Sequence, residues 1–151
     1  MKSEGMAKNL VVAFLFALVL YAVTYHFIEY RRTRNGPWQI TFSTNTTGAP
    51  AIVINQPQLG ITNLQFIFAG QTVPLTNLPA SPDFSQPHPV PYELPFGRCV
   101  FVDSTFLPGT LTVDVFGHEI ELLPRVLIVD HQERAWASGQ SATLPSATER
   151  P

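Results

Sequence analysis

Four histidines, eleven carboxylates and one cysteine are the residues of this chain best able to do chemistry. Neutral imidazoles and carboxylates bind divalent transition metals, so His26, His88, His118 and His131 were the first candidates. Their spacing argues against a metal. The chain has no HExxH motif, no two histidines at i and i+2 in one strand, and no cysteine partner for any of them. His118-Glu119 sits at an expected turn, with Glu121 on the face of Glu119. Asp130-His131 ends the following strand and is expected at the other end of the antiparallel pairing. A hydrolase centred on His118, Glu119 and Asp130 is the most specific catalytic reading, and solvated turn residues account for the same pattern. No catalytic residue, metal ligand or cofactor is assigned.

Paired carboxylates across a sheet face would suit glycosidase chemistry, with Asp103, Asp114, Glu119, Glu121 and Asp130 as candidates. Strand alternation puts charged residues on the solvent face in any case, which covers Asp114, Glu119 and Glu121. The chain has no Gly-x-Ser-x-Gly elbow and no glycine-rich phosphate loop. Cys99, in the apolar run Cys99-Val100-Phe101-Val102, reads as a small buried hydrophobe, and a single cysteine forms no intrachain disulfide. Asn45-Thr46-Thr47 is a glycosylation sequon. Aromatic faces give the remaining candidates for ligand binding: Trp38 and Trp136 flank the domain, and Phe96, Phe106 and Phe116 could form a patch. Trp136, Phe116 and His118 are the residues singled out for a ligand.

Composition narrows the classes. Only 13% of residues are charged against 45% hydrophobic, and a net charge of −2 leaves no basic stripe to neutralise phosphates, which excludes nucleic acid as a partner. Part of the hydrophobic excess lies in residues 10–28, LVVAFLFALVLYAVTYHFI, which carry no formal charge apart from any on His26. As a helix this stretch is roughly 28 Å long, the thickness of a bilayer's hydrocarbon core. Tyr25, Tyr30 and Trp38, with Arg31, Arg32 and Arg34, are expected at the membrane interface, and His26 at the helix end. A cleaved secretory signal is the rival reading. Its nearest small-x-small site is Ala22-Val23-Thr24, and apolar residues run on past it to Ile28.

The chain therefore divides into a short tail (1–9), a transmembrane helix (10–28), a juxtamembrane linker (29–36), a β-rich domain (37–136) and a disordered tail (137–151). Three arginines after the span, against Lys2 and Lys8 before it, lean toward a cytoplasmic domain by the charge rule, by a margin of one charge. Long domains translocate largely regardless of that rule, and the domain contains no lysine, so the expectation is an extracytoplasmic domain.

Within the domain, Trp38, Ile40 and Phe42 share a face by period-two alternation, as do Leu64, Phe66 and Phe68. Residues 51–54 and 126–129 are continuous apolar runs, expected to be covered on both faces. Residues 74–95 hold seven of the fourteen prolines and read as an extended loop with edge strands at most. Two of its segments, 79–82 and 87–91, have polyproline II character. A meander follows: a strand over 98–106, a type II turn at Pro108-Gly109, a strand over 110–116, a turn at Gly117-His118, then 119–122 and 126–129. The expected fold is all-β, a small sandwich or partly open barrel of seven or eight short antiparallel strands, preceded by one transmembrane helix. The functional expectation is a non-enzymatic accessory protein partnered by the lipid bilayer and by a protein of a membrane or envelope complex. A tethered ligand- or carbohydrate-binding module is the alternative.

Overall fold

The computed structural model describes residues 2–146, with the side chains at 2–3 and 32–33 outside the description. One helix, α1 (Lys2–Asn35), precedes ten strands: β1 (Gln39–Thr44), β2 (Pro50–Gln56), β3 (Ile61–Phe68), β4 (Tyr92–Leu94), β5 (Gly97–Val102), β6 (Leu111–Val115), β7 (His118–Leu122), β8 (Leu127–Val129), β9 (Gln132–Arg134) and β10 (Ser141–Leu144). They form a four-stranded sheet in the order β1-β2-β3-β10 and a six-stranded sheet in the order β4-β5-β6-β7-β8-β9. This is a β-sandwich after one helix, the expected class, with more strands than expected.

Helix and domain are separate compact units, Met1–Arg34 and Asn35–Pro151. Within the helix, the span Glu4–Arg31 contains an 18-residue window with a mean hydropathy of 2.2 that is 0% buried within the protein. It meets the length and composition needed to cross a membrane, a test that a signal sequence near the N-terminus also passes. Where a linker was expected over 29–36, the helix continues to Asn35, because no helix breaker occurs before Gly36-Pro37. Gly36 takes a φ of +65°, which ends the helix in the left-handed region that glycine adopts without strain.

Alternation decides what the domain buries. Ile40 and Phe42 of β1, Leu64, Phe66 and Phe68 of β3, and Leu111, Val113 and Val115 of β6 all face the core, as do Ile120 and Leu122 of β7. Ile128 in β8 is half-exposed, so that run is covered on one face only, its outer side being the open face of the six-stranded sheet. Trp38 is 3% exposed and belongs to the same core; the sequence reading had put its ring at the lipid interface.

Three expectations in the meander need correction. The strand expected over 98–106 ends at Val102, after a register shift between Cys99 and Phe101. Gly109 does not take the positive φ of a type II turn; a Cβ there would fall on the Asp103 carbonyl oxygen, so glycine is needed for close backbone approach. The β6–β7 turn is Phe116-Gly117, both with positive φ (52° and 76°), and the register pairs Val115 with His118. That is the type I′ arrangement whose twist suits a two-residue hairpin. Asp130 and His131 form a second such turn without glycine (φ 51° and 64°), joining β8 to β9.

The stretch 74–95 is mostly loop, as expected, with β4 at a sheet edge and Ala80 bridged to Phe42 on the edge of β1. Beyond Ala137 the chain was expected to lack structure, yet Ser141–Leu144 forms β10 and pairs in parallel with β3 over Gln65–Phe68. Residues 147–151 of that tail lie outside the described residues.

Candidate functional site

Three places bring chemically capable residues together. The first is at the far end of the sandwich, opposite the end where the chain leaves α1. In an antiparallel pair the start of one strand meets the end of the next, so His118 at the head of β7 lies beside Asp130 at the foot of β8. This corrects the expectation that the two are at opposite ends. The His118 Nδ1 is 2.7 Å from the Asp130 Oδ2, and the other carboxylate oxygen accepts the Glu119 N–H at 3.1 Å. On the other side of the ring, Nε2 is 2.9 Å from the Pro145 carbonyl oxygen. A carbonyl can only accept, so Nε2 carries a proton, and Nδ1 faces a carboxylate across a distance that also requires one. Both ring nitrogens therefore have hydrogen-bond partners, Nε2 in the carbonyl and Nδ1 in the carboxylate.

The His118 side chain is 2% exposed and the Asp130 side chain 30%. The ring rests against Phe68 with centroids 5.9 Å apart. His118 belongs to the six-stranded sheet, and Pro145 directly follows β10 of the four-stranded one. The imidazole thus fastens the last strand across the sandwich. A general base needs a free nitrogen facing the substrate, and here both nitrogens are committed to protein acceptors.

On the outer face of β7, Glu119 and Glu121 share a side, as alternation requires, and His131 reaches back from its turn to within 3.4 Å of the Glu119 Oε1. Their ligand atoms all lie within 4.8 Å of one another, a spacing a divalent cation could bridge. The His131 side chain is 83% exposed and Glu119 42%, so solvent competes for every one of these groups. Asp114 is paired with Arg98 across β5 and β6 at 3.4 Å. Asp103 accepts the Thr105 N–H in a local turn. Of the carboxylates named as possible glycosidase acids, Asp103 and Asp114 thus have separate local partners, while Glu119 and Glu121 lie side by side.

The second place is the end of the domain where the chain enters. Trp38 stacks on Trp136 with centroids 5.3 Å apart, and its Nε1–H donates to the Gly109 carbonyl at 2.6 Å. The two indoles therefore meet; they do not flank the domain, and one face of Trp136 is covered. Among the described residues its Nε1 has no hydrogen-bond partner. Gln56, buried and not anticipated from sequence, donates to the Gly36 and Pro37 carbonyls and accepts the Gln58 N–H, tying the entering segment to β2. The proposed patch of three phenylalanines is not assembled. Phe116 packs on Phe68 and Phe96 at 5.2 and 5.5 Å in the far-end core, while Phe106 is 63% exposed on a loop at the entering end. Cys99 is fully buried with its thiol directed at the Phe101 carbonyl, and burial pushes the thiol's pKa up, so little thiolate is present. Its cross-strand neighbour Tyr92 is pushed up too, first by burial and then by its bond to Cys99.

The third place is a groove of about 480 Å³ along one open side of the sandwich, between β3 and β10 of one sheet and β8 and β9 of the other. Leu64, Phe66, Leu127, Ala137 and Ala142 make it mainly apolar, with Arg134 at its margin. On α1, Tyr25 and Tyr30 are exposed, as are the apolar side chains through the span. Arg31 lies over the Phe27 ring at 5.2 Å. The side chain of Arg32 lies outside the description. Compared with the models of known protein families, with characterised proteins and with solved structures, the chain matches none of them.

Proposed function

We propose that this chain is a single-pass membrane protein whose β-sandwich, held outside the cytoplasm, is a non-enzymatic accessory or interaction module of a membrane or envelope complex. The observation that carries the reading is the 18-residue window within Glu4–Arg31, apolar over nearly a bilayer's thickness and 0% buried by the rest of the chain. Water would solvate that surface at about 25 cal/mol per Å², whereas lipid solvates it at no such cost. The absence of enzymatic function is supported by the committed nitrogens of His118, the buried Cys99 thiol and the local pairing of Asp103, Asp114 and Glu119.

Alkaline carbonate extraction of membranes from cells expressing the full chain tests the anchor, and protease protection of sealed vesicles reads the side on which the domain lies. The expected outcome is an unextracted, full-length chain whose domain is digested only from the extracytoplasmic side. Recovery in the soluble fraction, or a chain that begins after Thr24, would sink the reading. Crosslinking in native membranes then tests the partner; a protein that stays monomeric under every condition removes the accessory role.

The groove between the sheets favours a second reading, a tethered module that binds an apolar or carbohydrate ligand. Filling it by Ala142→Phe should abolish binding of an apolar fluorescent probe; unchanged binding removes this alternative.

A further inference from the structure

We propose that the end of the sandwich at which the chain enters is a lipid-docking surface, and that the loop of residues 103–110 places Phe106 at the headgroup level of the bilayer. The inference rests on the anchored reading above and adds a second contact with the same membrane.

Topology sorts the domain's surface into two ends. Trp38 immediately precedes β1, and its indole donates to Gly109, so the loop between β5 and β6 is held at the entering end. By register, the β7–β8 turn (residues 123–126) and the end of β9 lie at that end of the six-stranded sheet as well. These segments carry exposed Phe106, Arg125 and Arg134. Phe101, 50% exposed on the outer face of β5, is one position from the strand end that opens the loop. The cross-strand row of Glu93, Arg98, Asp114 and Glu119, together with Asp130, lies toward the other end.

The loop tip, Ser104-Thr105-Phe106-Leu107-Pro108, is uncharged. Asp103 at its base has one carboxylate oxygen taken by the Thr105 amide. A large exposed ring in an uncharged tip is a costly surface in water and a favourable one at a bilayer interface, where aromatic rings settle against the headgroups. The charges at this end are mixed, since Glu121 and Glu133 lie one position from the same strand ends, so the exposed ring and not net charge selects the occupant. Continuity of the chain supplies the same occupant, since Asn35 and the arginine-bearing segment before it follow the apolar window directly.

Spin labels read this on the full chain in vesicles of phosphatidylcholine and phosphatidylglycerol. Cys99 is fully buried, which leaves an introduced cysteine as the reactive thiol. Labels are placed at Phe106→Cys, at Thr46→Cys in the exposed far-end loop, and at Leu18→Cys in the apolar window. Collision with oxygen, which concentrates in lipid, is compared with collision with a water-soluble nickel chelate. The expected result is lipid-like accessibility at 18, loss of nickel collisions at 106, and full nickel accessibility at 46. A label at 106 as open to nickel as that at 46, with 18 still lipid-like, overturns the docking surface and leaves the anchor standing. Water-like behaviour at all three positions overturns both. Should the cysteine at 106 disturb folding, seen as loss of the near-UV signal of the stacked indoles, Thr105→Cys, also exposed, gives the same readout.

Discussion

Replacing His118 should detach the last strand before it unfolds the domain. His118→Leu removes two hydrogen bonds at once and leaves the Pro145 carbonyl and the Asp130 carboxylate without their shared donor. The charged bond is worth about 1.5–3 kcal/mol and the bond to the carbonyl about 1 kcal/mol. The Asp130 side chain is 30% exposed, so water recovers part of the first term, and a loss near 3 kcal/mol follows. For a domain of this size, whose total stability is about 5–15 kcal/mol, that lowers the midpoint of melting by roughly 10–20 °C. The loss should be uneven. β10 is held by its pairing with β3 and by this imidazole, so its amides should come to exchange through local opening, faster than those of β6, which speed up only with the global change of about a hundredfold. Near-UV circular dichroism of the full chain in detergent gives the melt, and hydrogen exchange read by mass spectrometry gives the local effect. His118→Gln, able to donate to the Pro145 carbonyl, should lose less. The reasoning fails if the leucine variant melts within about 0.5 kcal/mol of the native chain, or if β10 protection is unchanged.

Gly109→Ala should destabilise by about 3 kcal/mol, since the new methyl group would fall on the Asp103 carbonyl oxygen, whereas Gly48→Ala, with open space around it but a φ of +83°, should lose only about 1 kcal/mol; chemical denaturation of both separates close approach from backbone strain. Tyr92 and Cys99 both have folded pKa values raised above their ordinary 10.0 and 9.0. Groups of that kind contribute their full stability below the unfolded pKa and lose it as pH rises, so melting points should be flat up to about pH 9 and fall above it, with a shallower fall in Tyr92→Phe. A thiol reagent should leave Cys99 unmodified in the folded chain and react on denaturation; rapid labelling under native conditions would refute its burial. Trp38→Phe keeps the ring but removes the donor to Gly109, which should cost about 1 kcal/mol in a denaturant titration and raise proteolytic cleavage within residues 103–110.

The layers of the fold were legible because one-face burial imposes period two. Ile40 with Phe42, Leu64 with Phe66, and Leu111 with Val113 announced β1, β3 and β6 before any coordinates. The anchor was legible for a simpler reason, its unbroken apolar length. Short strands escaped notice because three or four residues cannot show a period: Gln132–Arg134 is polar throughout, and Ser141–Leu144 alternates too weakly to stand out. Turn chemistry misled in two ways. Pro108-Gly109 has the residue order of a type II turn, yet its glycine answers a long-range approach by the Asp103 carbonyl, which no local pattern encodes. Phe116, Asp130 and His131 take positive φ despite their side chains, held there by pairing on either side. Of the candidate site, His118 and Asp130 were both noticed, but their contact depends on hairpin register, and the Pro145 carbonyl that completes it comes from a segment read as shapeless. Trp38 and Trp136 were likewise noticed singly, while their stacking joins opposite ends of the domain sequence.

The parallel seating of Ser141–Leu144 against β3 also sets the order in which the molecule can be completed. Strand β3 is synthesised first and has β2 on one flank, but its other flank stays open until Ser141–Leu144, more than 70 residues later, has been made. During that interval Gln65–Phe68 offers bare backbone donors and acceptors beside an apolar face, the combination that recruits foreign strands. A chain truncated after Trp136 would be arrested in that condition, with the six-stranded sheet intact and the smaller one left as a template for aggregation.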